Sequence, residues 1–185
     1  MEKVSPPDFD QNPKNSKSGA KRSRLIIFII SGIVVSGLAG SFATLQLNGG
    51  LLSQQVESHP KGNYQVKMIP LIDRAQTLML IVGGLANLSR TDQRSAVSDI
   101  AGKWSEIQAD CKKIKPGTAD LVAAHDIYSA YLAKTALFFQ AALDYLDTGN
   151  RSKITLMSQY QGESELLQTQ YDSKISSIHD PGSDD

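Results

Sequence analysis

The chain has 185 residues, of which 19 are Lys or Arg and 19 are Asp or Glu, so its formal net charge is zero. The charge is unevenly distributed, because residues 1–24 carry a net charge of +3 and residues 48–185 a net charge of −3. Proteins that bind nucleic acid need a dense cationic surface to displace counterions from phosphates, so this composition argues against such a function.

An uncharged segment follows a basic N-terminus. Residues 1–24 are rich in Pro, Asn, Ser and Lys, which predicts a disordered basic cytoplasmic tail. Residues 25–47 contain no charged side chain, and 23 residues of helix are long enough to cross a hydrocarbon core of about 30 Å. Because positive flanks remain in the cytoplasm, we predict a single-pass plasma (inner) membrane protein with a cytoplasmic N-terminus and an extracytoplasmic C-terminal domain.

The same segment has a second interpretation, as a cleavable secretion signal. Ser41 and Ala43 are small residues at a spacing that suits a signal peptidase, with residues 25–38 as the apolar region. The long leader and the continuation of uncharged sequence to Leu47 favour a retained anchor, which is our prediction.

Small side chains recur at every fourth position of the predicted membrane helix, at Gly32, Ser36, Gly40 and Thr44. This spacing places them on one helix face and permits close approach of a second helix. The face is therefore a candidate contact with another copy of the chain or with a larger membrane protein. An accidental alignment of residues that are common in membrane helices is the alternative.

The remaining sequence predicts a helical domain. Residues 48–62 are rich in Gly and Pro and predict a linker. Over residues 63–180 apolar side chains recur at three- and four-residue intervals, and no segment shows the period-two alternation of a strand. Short loops make neighbouring helices antiparallel. The predicted fold is all-α: a single N-terminal transmembrane helix followed by an antiparallel up-down four-helix bundle.

Local signals set the expected helix boundaries. Pro70 is expected in a first turn, Thr91 and Ser152 are expected N-caps, and Gly149 is expected to end the third helix in a left-handed conformation. The predicted helices cover approximately residues 63–88, 91–115, 118–147 and 152–180. Their predicted core-facing stripes are Met68, Ile72, Ala75, Met79, Val82 and Ala86, widened by Leu71, Leu78 and Leu85; Val97, Ile100, Trp104, Ile107, Cys111 and Ile114; Leu121, His125, Tyr128, Leu132, Thr135, Phe139, Ala142 and Leu146; and Met157, Tyr160, Ser164, Leu167, Tyr171, Ile175 and Ile178.

Enzymatic signatures do not occur in the sequence. It contains no glycine-rich phosphate loop with its lysine, no Cys-x-x-Cys, no His-Glu-x-x-His and no Glu-x-x-His. We therefore predict a protein that is not an enzyme, with no catalytic residue, no metal and no cofactor.

His125 is the one histidine on a predicted core stripe, and Tyr128 follows it by one turn. These two residues are the candidate lining of a ligand pocket between helices. A haem-binding alternative adds Met157 as a second axial ligand. The preferred interpretation of His125 is a core-edge histidine that is hydrogen-bonded to a hydroxyl or a carbonyl group.

Two further features have a structural and a functional interpretation. The single cysteine, Cys111, excludes an intramolecular disulfide, and we predict a buried thiol, with an intermolecular disulfide as the alternative. Tyr131, Phe138 and Tyr145 recur at seven-residue intervals and form either a partner-binding face or a wide core face, of which we prefer the core.

These observations favour a non-enzymatic function. We predict an interaction or scaffold module that is anchored in the lipid bilayer and binds another envelope protein or a second copy of itself. The layout of residues 25–178 resembles, in architecture and through no motif, the extracytoplasmic four-helix-bundle sensing domains of bacterial membrane receptors. That resemblance implies the first alternative, a sensor-type bundle that binds a small molecule. A secreted bundle released by signal cleavage is the second.

Overall fold

The computed structural model describes residues 60–178, which form four α-helices: α1 (Pro60–Gly84), α2 (Arg90–Cys111), α3 (Ala119–Thr148) and α4 (Ser152–Ser177). A short 3-10 helix, Leu85–Asn87, follows α1. These residues contain no β-strand, so the prediction of an all-helical domain is confirmed for this part of the chain. The predicted tail, the membrane helix and residues 48–59 of the predicted linker lie outside the described residues.

Side chains fix the ends of the two central helices. Ser89 is the N-cap of α2, with an extended backbone and a hydroxyl that accepts a hydrogen bond from the Asp92 N–H. Thr91, the predicted cap, is instead the second residue of the helix. Thr118 caps α3 by accepting from the Leu121 N–H. Gly149 ends α3 with φ of 71°, so the predicted left-handed terminus is confirmed.

The first and last helices begin differently from the prediction. α1 starts at Pro60, three residues before the predicted boundary, and includes Pro70 in its interior rather than in its first turn. A proline there leaves the carbonyl four residues earlier without its helical partner. That residue, Val66, and Pro70 itself are both exposed, so water can solvate the carbonyl. Ser152 is the first residue of α4 and not its cap, and its N–H donates to the side-chain oxygen of Asn150.

Each helix packs against the next one in the chain, and the α3–α4 contact is the most extensive. The predicted stripes of α2 and α3 are buried throughout, apart from the half-buried Ile114. Trp104 lies at the centre of this packing: its ring contacts Phe139 and Tyr131 edge-on, and its indole N–H donates to the Leu132 carbonyl at 2.9 Å.

The stripes of the outer helices follow the prediction less closely. Among the predicted positions of α1 and the 3-10 helix that follows it, Ile72 and Ala86 are only half-buried, whereas Leu71, Leu78 and Leu85 are fully buried as predicted. In α4 the fully buried members are Met157, Ser164 and Tyr171, and the other predicted positions are half-buried.

Polar contacts join the start of one helix to the end of another. The Arg90 guanidinium at the start of α2 donates to the carbonyls of Tyr145 and Leu146 near the end of α3. Lys174 near the end of α4 pairs with Asp120 in the first turn of α3. At the same end, Lys61 of α1 donates to the carbonyl of Ile178, just after α4. We call this the entry end of the domain, because the chain enters α1 there.

Within residues 60–178, one helical segment, Pro60–Asn87, is long and apolar enough to span a membrane, with a mean hydropathy of 1.3 over its best window. A core helix of a soluble domain passes the same test, and 39% of this window is buried inside the fold. The apolar character of α1 thus has two components: a side that packs in the core and a side that remains exposed.

Candidate functional site

The predicted pocket residues lie in a buried cluster at the entry end. His125 and Tyr128 are on α3 and are 8% and 3% exposed. The hydroxyl of Tyr64, on α1, lies 3.4 Å from His125 Nδ1, and the two rings meet edge-on with centroids 5.9 Å apart. On the other side of the imidazole, Cys111 Sγ lies 3.9 Å from Nε2. The histidine is therefore a hydrogen-bonded core-edge residue, as the preferred interpretation held.

Aromatic rings fill the space around Tyr128. Its ring centroid lies 4.9 Å from that of Tyr171 on α4 and 5.5 Å from that of Tyr131 on α3. Burial raises the pKa of Tyr64 and of Tyr171, and each of these tyrosines affects the pKa of the other. Neither of the two cavities described below is lined by His125 or Tyr128.

Burial keeps the titratable groups of the cluster neutral. Desolvation lowers the pKa of His125; the nearby Lys115 acts in the same direction and Asp126 opposes it. Desolvation also raises the pKa of the Cys111 thiol, although a contact with the Ser129 hydroxyl at 3.8 Å partly offsets the effect. Near neutral pH the pair is therefore a thiol and an uncharged imidazole. A nucleophilic cysteine needs a lowered thiol pKa, so this geometry does not favour covalent chemistry.

The haem alternative fails on geometry. The ion pairs Lys134–Glu163 and Lys153–Asp144 fix the register of α4 against α3 and place Met157 beside the C-terminal half of α3. At about 1.5 Å of helix rise per residue, Met157 lies about 20 Å along the axis from His125. Across the described part of the chain, no three His, Cys, Asp or Glu side chains form a group that would hold a metal ion.

The aromatic face of α3 belongs to the core, because Tyr131, Phe138 and Tyr145 are all buried. The candidate membrane contact of Gly32, Ser36, Gly40 and Thr44 lies outside the described residues and stays a prediction.

An exposed apolar surface lies on α1 instead. We call it the α1 outer face, and it consists of Val66, Ile69, Leu80 and Ile81. Leu80 is 55% and Ile81 47% exposed. At 100° per residue the four side chains fall within an arc of roughly 120°. The sequence analysis missed this surface, although a helix that is apolar nearly all round is the signal for a second buried face.

A cleft of about 380 Å³ lies between α1 and α2, beside the α1 outer face. Its floor is apolar, formed by Leu78 and Ile107, and its rim is charged. On the rim Arg74 bridges Asp110 at 2.8 Å and Glu106 at 3.5 Å, so its charge is already paired. A second depression, of about 590 Å³, is lined by residues of α2 alone, from Thr91 to Glu106.

No family profile, curated protein or solved structure matches this chain.

Proposed function

We propose that this chain is a membrane-anchored, non-enzymatic interaction module that binds another envelope protein or a second copy of itself through the α1 outer face. The observation that carries the proposal is the exposure of Leu80 and Ile81 in a domain whose other helices bury most of their apolar side chains. Neighbouring exposed apolar side chains such as Leu80 and Ile81 are typical of protein interfaces, and Val66 and Ile69 form a second such pair about three turns earlier on the same side of α1.

In the proposed architecture, residues 25–47 form the transmembrane helix, with the N-terminus in the cytoplasm and the bundle outside. The four helices form an antiparallel up-down bundle. This arrangement is supported by the contacts Arg90–Leu146 and Lys174–Asp120, each of which joins the start of one helix to the end of its neighbour. A zero-length carbodiimide crosslink between Lys174 and Asp120 is expected, and its absence would contradict the proposed pairing.

The anchor is tested separately from the interface. Alkaline extraction of membranes should leave the intact chain in the lipid fraction, and a reporter fused after Asp185 should be extracytoplasmic. A soluble product that has lost its first 43 residues would favour the secreted alternative.

The interface is tested by site-specific photocrosslinking in cells that produce the full chain. A photoreactive amino acid at Leu80 should give a discrete crosslinked product, of either a homodimer or a complex with one membrane protein. The matched control is Leu166 on α4, which is 59% exposed but lies on another helix. Equal crosslinking at both positions, or none at Leu80, would contradict the proposal.

The expected energy follows from the exposed fractions. Burying the exposed half of Leu80 and of Ile81 contributes about 1 kcal/mol each. The double variant Leu80→Gln/Ile81→Gln should therefore weaken association by about 2 kcal/mol, or roughly 30-fold in Kd.

A second candidate function is small-molecule binding in the α1–α2 cleft, whose volume lies within the usual range for ligand sites. The pocket predicted at His125 and Tyr128 stays a separate prediction. A compound that binds there should raise Tm by mass action, and Thr77→Phe, which fills the cleft mouth, should abolish the increase. An unchanged increase in that variant would locate the compound elsewhere.

A further inference from the structure

Most lysine and arginine side chains of the domain are already held by protein groups. Carboxylates pair with Arg74, Arg94, Lys103, Lys134, Lys153 and Lys174, and backbone carbonyls accept from Lys61 and Arg90. The segment between α2 and α3 differs. Among residues 60–178, no carboxylate pairs with Lys112 or Lys115, and both are exposed. Lys113 shares Asp110 with Arg74. We call residues 112–117 the basic loop.

The basic loop lies at the entry end. A Cβ added to Gly117 would lie 3.8 Å from the Cβ of Pro60, the first residue of α1. The loop is therefore beside the point at which the chain arrives from residues 48–59. Lys67, a further exposed lysine without a carboxylate partner in the described range, lies within the first two turns of α1. Among residues 60–178, three of the four Lys or Arg side chains without a partner, namely Lys67, Lys112 and Lys115, thus lie towards the entry end, and the fourth, Arg151, lies at the opposite end; residues 48–185 as a whole have a net charge of −3.

The position of the loop relative to the bilayer rests on the proposed anchor at residues 25–47. Twelve residues, 48–59, connect that segment to Pro60, and twelve residues span at most about 40 Å. The entry end is therefore tethered within about 40 Å of the lipid headgroups and remains at a high effective concentration there. Lysines attract anionic headgroups strongly only within a Debye length of about 8 Å, so direct contact is required.

We propose that the basic loop docks onto the phosphate groups of anionic lipid headgroups through Lys112 and Lys115, and so holds the entry end of the bundle against the membrane surface. The attraction per lysine near an anionic surface corresponds to roughly fivefold, so two lysines give about 25-fold preference for an anionic over a neutral bilayer. Docking at this end leaves Leu80 and Ile81, near the opposite end of α1, available to a protein partner.

The C-terminal residues are the competing occupant. They contain Asp180, Asp184 and Asp185 and begin directly after Ile178, whose carbonyl accepts from Lys61 at the entry end. The lipid is favoured because the proposed anchor holds a bilayer with many headgroup phosphates at this end, whereas the C-terminal residues offer three carboxylates. If those carboxylates bound the basic loop, protection of its backbone amides from hydrogen exchange would be the same in anionic and neutral lipid.

The test uses the full chain in nanodiscs of phosphatidylcholine alone or mixed with phosphatidylglycerol, with hydrogen exchange followed by mass spectrometry. Exchange at residues 112–118 should be about tenfold slower in the anionic nanodiscs, and about 0.5 M salt should remove the difference. Lys112→Gln/Lys115→Gln should also remove it. The control variant Lys103→Gln/Arg151→Gln removes the same amount of charge from exposed positions elsewhere. In this variant the difference in exchange between the two kinds of nanodisc should remain.

Each contrary result has its own meaning. Equal exchange in both lipids, with the chain incorporated in the nanodiscs, overturns the docking proposal and leaves the anchor intact. Protection that is equal in both lipids and disappears in Asp180→Asn/Asp184→Asn/Asp185→Asn assigns the loop to the C-terminal residues. A folded chain that does not incorporate overturns the anchor, and the docking proposal with it.

Discussion

Trp104→Phe is expected to destabilise the domain by about 3 kcal/mol, the sum of three contributions that follow from the position of the indole. Its N–H donates to the Leu132 carbonyl at 2.9 Å, and loss of that buried hydrogen bond costs about 1 kcal/mol. The side chain is fully buried, so the smaller ring leaves roughly 40 Å³ unfilled, which costs about 1 kcal/mol. The lost burial of apolar atoms adds about 1 kcal/mol.

Urea unfolding followed by far-ultraviolet circular dichroism in mild detergent measures this change as a shift in the midpoint at constant slope. The matched control is Phe138→Leu, at a buried position that makes no hydrogen bond through its side chain. That control should cost about 1 to 2 kcal/mol, because only packing is lost. The reasoning is refuted if Trp104→Phe costs no more than the control, since the indole hydrogen bond would then contribute nothing.

Further predictions concern the backbone and the buried cluster. Gly149→Ala should destabilise the domain by about 1 to 2 kcal/mol, because the φ of Gly149 is 71°. Gly102→Ala, at a helical position with open space around it, should stabilise the domain by about 0.5 to 1 kcal/mol. Shifts of Tm in the same direction for both variants would contradict this reasoning. Because burial lowers the pKa of His125, the imidazole binds a proton more readily in the unfolded chain than in the folded one. The free energy of unfolding should therefore fall as the pH decreases below about 6.5. His125→Gln should reduce this pH dependence, as measured by urea unfolding between about pH 5 and 6.5. The buried Cys111, whose pKa is raised, should react with iodoacetamide only after denaturant is added, and rapid labelling of the native chain would place the thiol at the surface.

The accuracy of the predicted helices depended on their amphipathicity. In α2, apolar residues such as Val97, Ile100 and Ile107 stand among polar neighbours, so their spacing identified the buried side correctly. In α1 apolar residues occur on both sides, and the widened stripe included the buried Leu71 and the half-buried Ile72 without ranking them. Periodicity detects a difference in hydrophobicity between opposite faces of a helix, and that difference is small when both faces carry apolar residues, as in α1.

The candidate site was predictable only in part. The stripe of α3 placed His125 in the core, because periodicity acts within one helix. Its partners, Tyr64 and Cys111, come from two other helices. Which side chains meet across helices depends on axial register, which is set by caps and loop geometry rather than by the stripe. The N-cap of α2 illustrates the point: it is Ser89 rather than Thr91, so the helix begins two residues, or about 3 Å along its axis, before the predicted start.

The proline inside α1 divides the hydrogen-bond ladder of that helix. Pro70 supplies no N–H, so the ladder of the first ten residues and that of the following fifteen are joined by one bond fewer than in an uninterrupted helix. The N-terminal segment is tied to α3 and α4 through Tyr64 and Lys61, while the C-terminal segment carries Leu80 and Ile81. If a bound partner pulled on the C-terminal segment, the backbone would therefore yield first at residue 70. The entry-end segment of α1 would keep its contacts with the rest of the domain while the C-terminal segment moved.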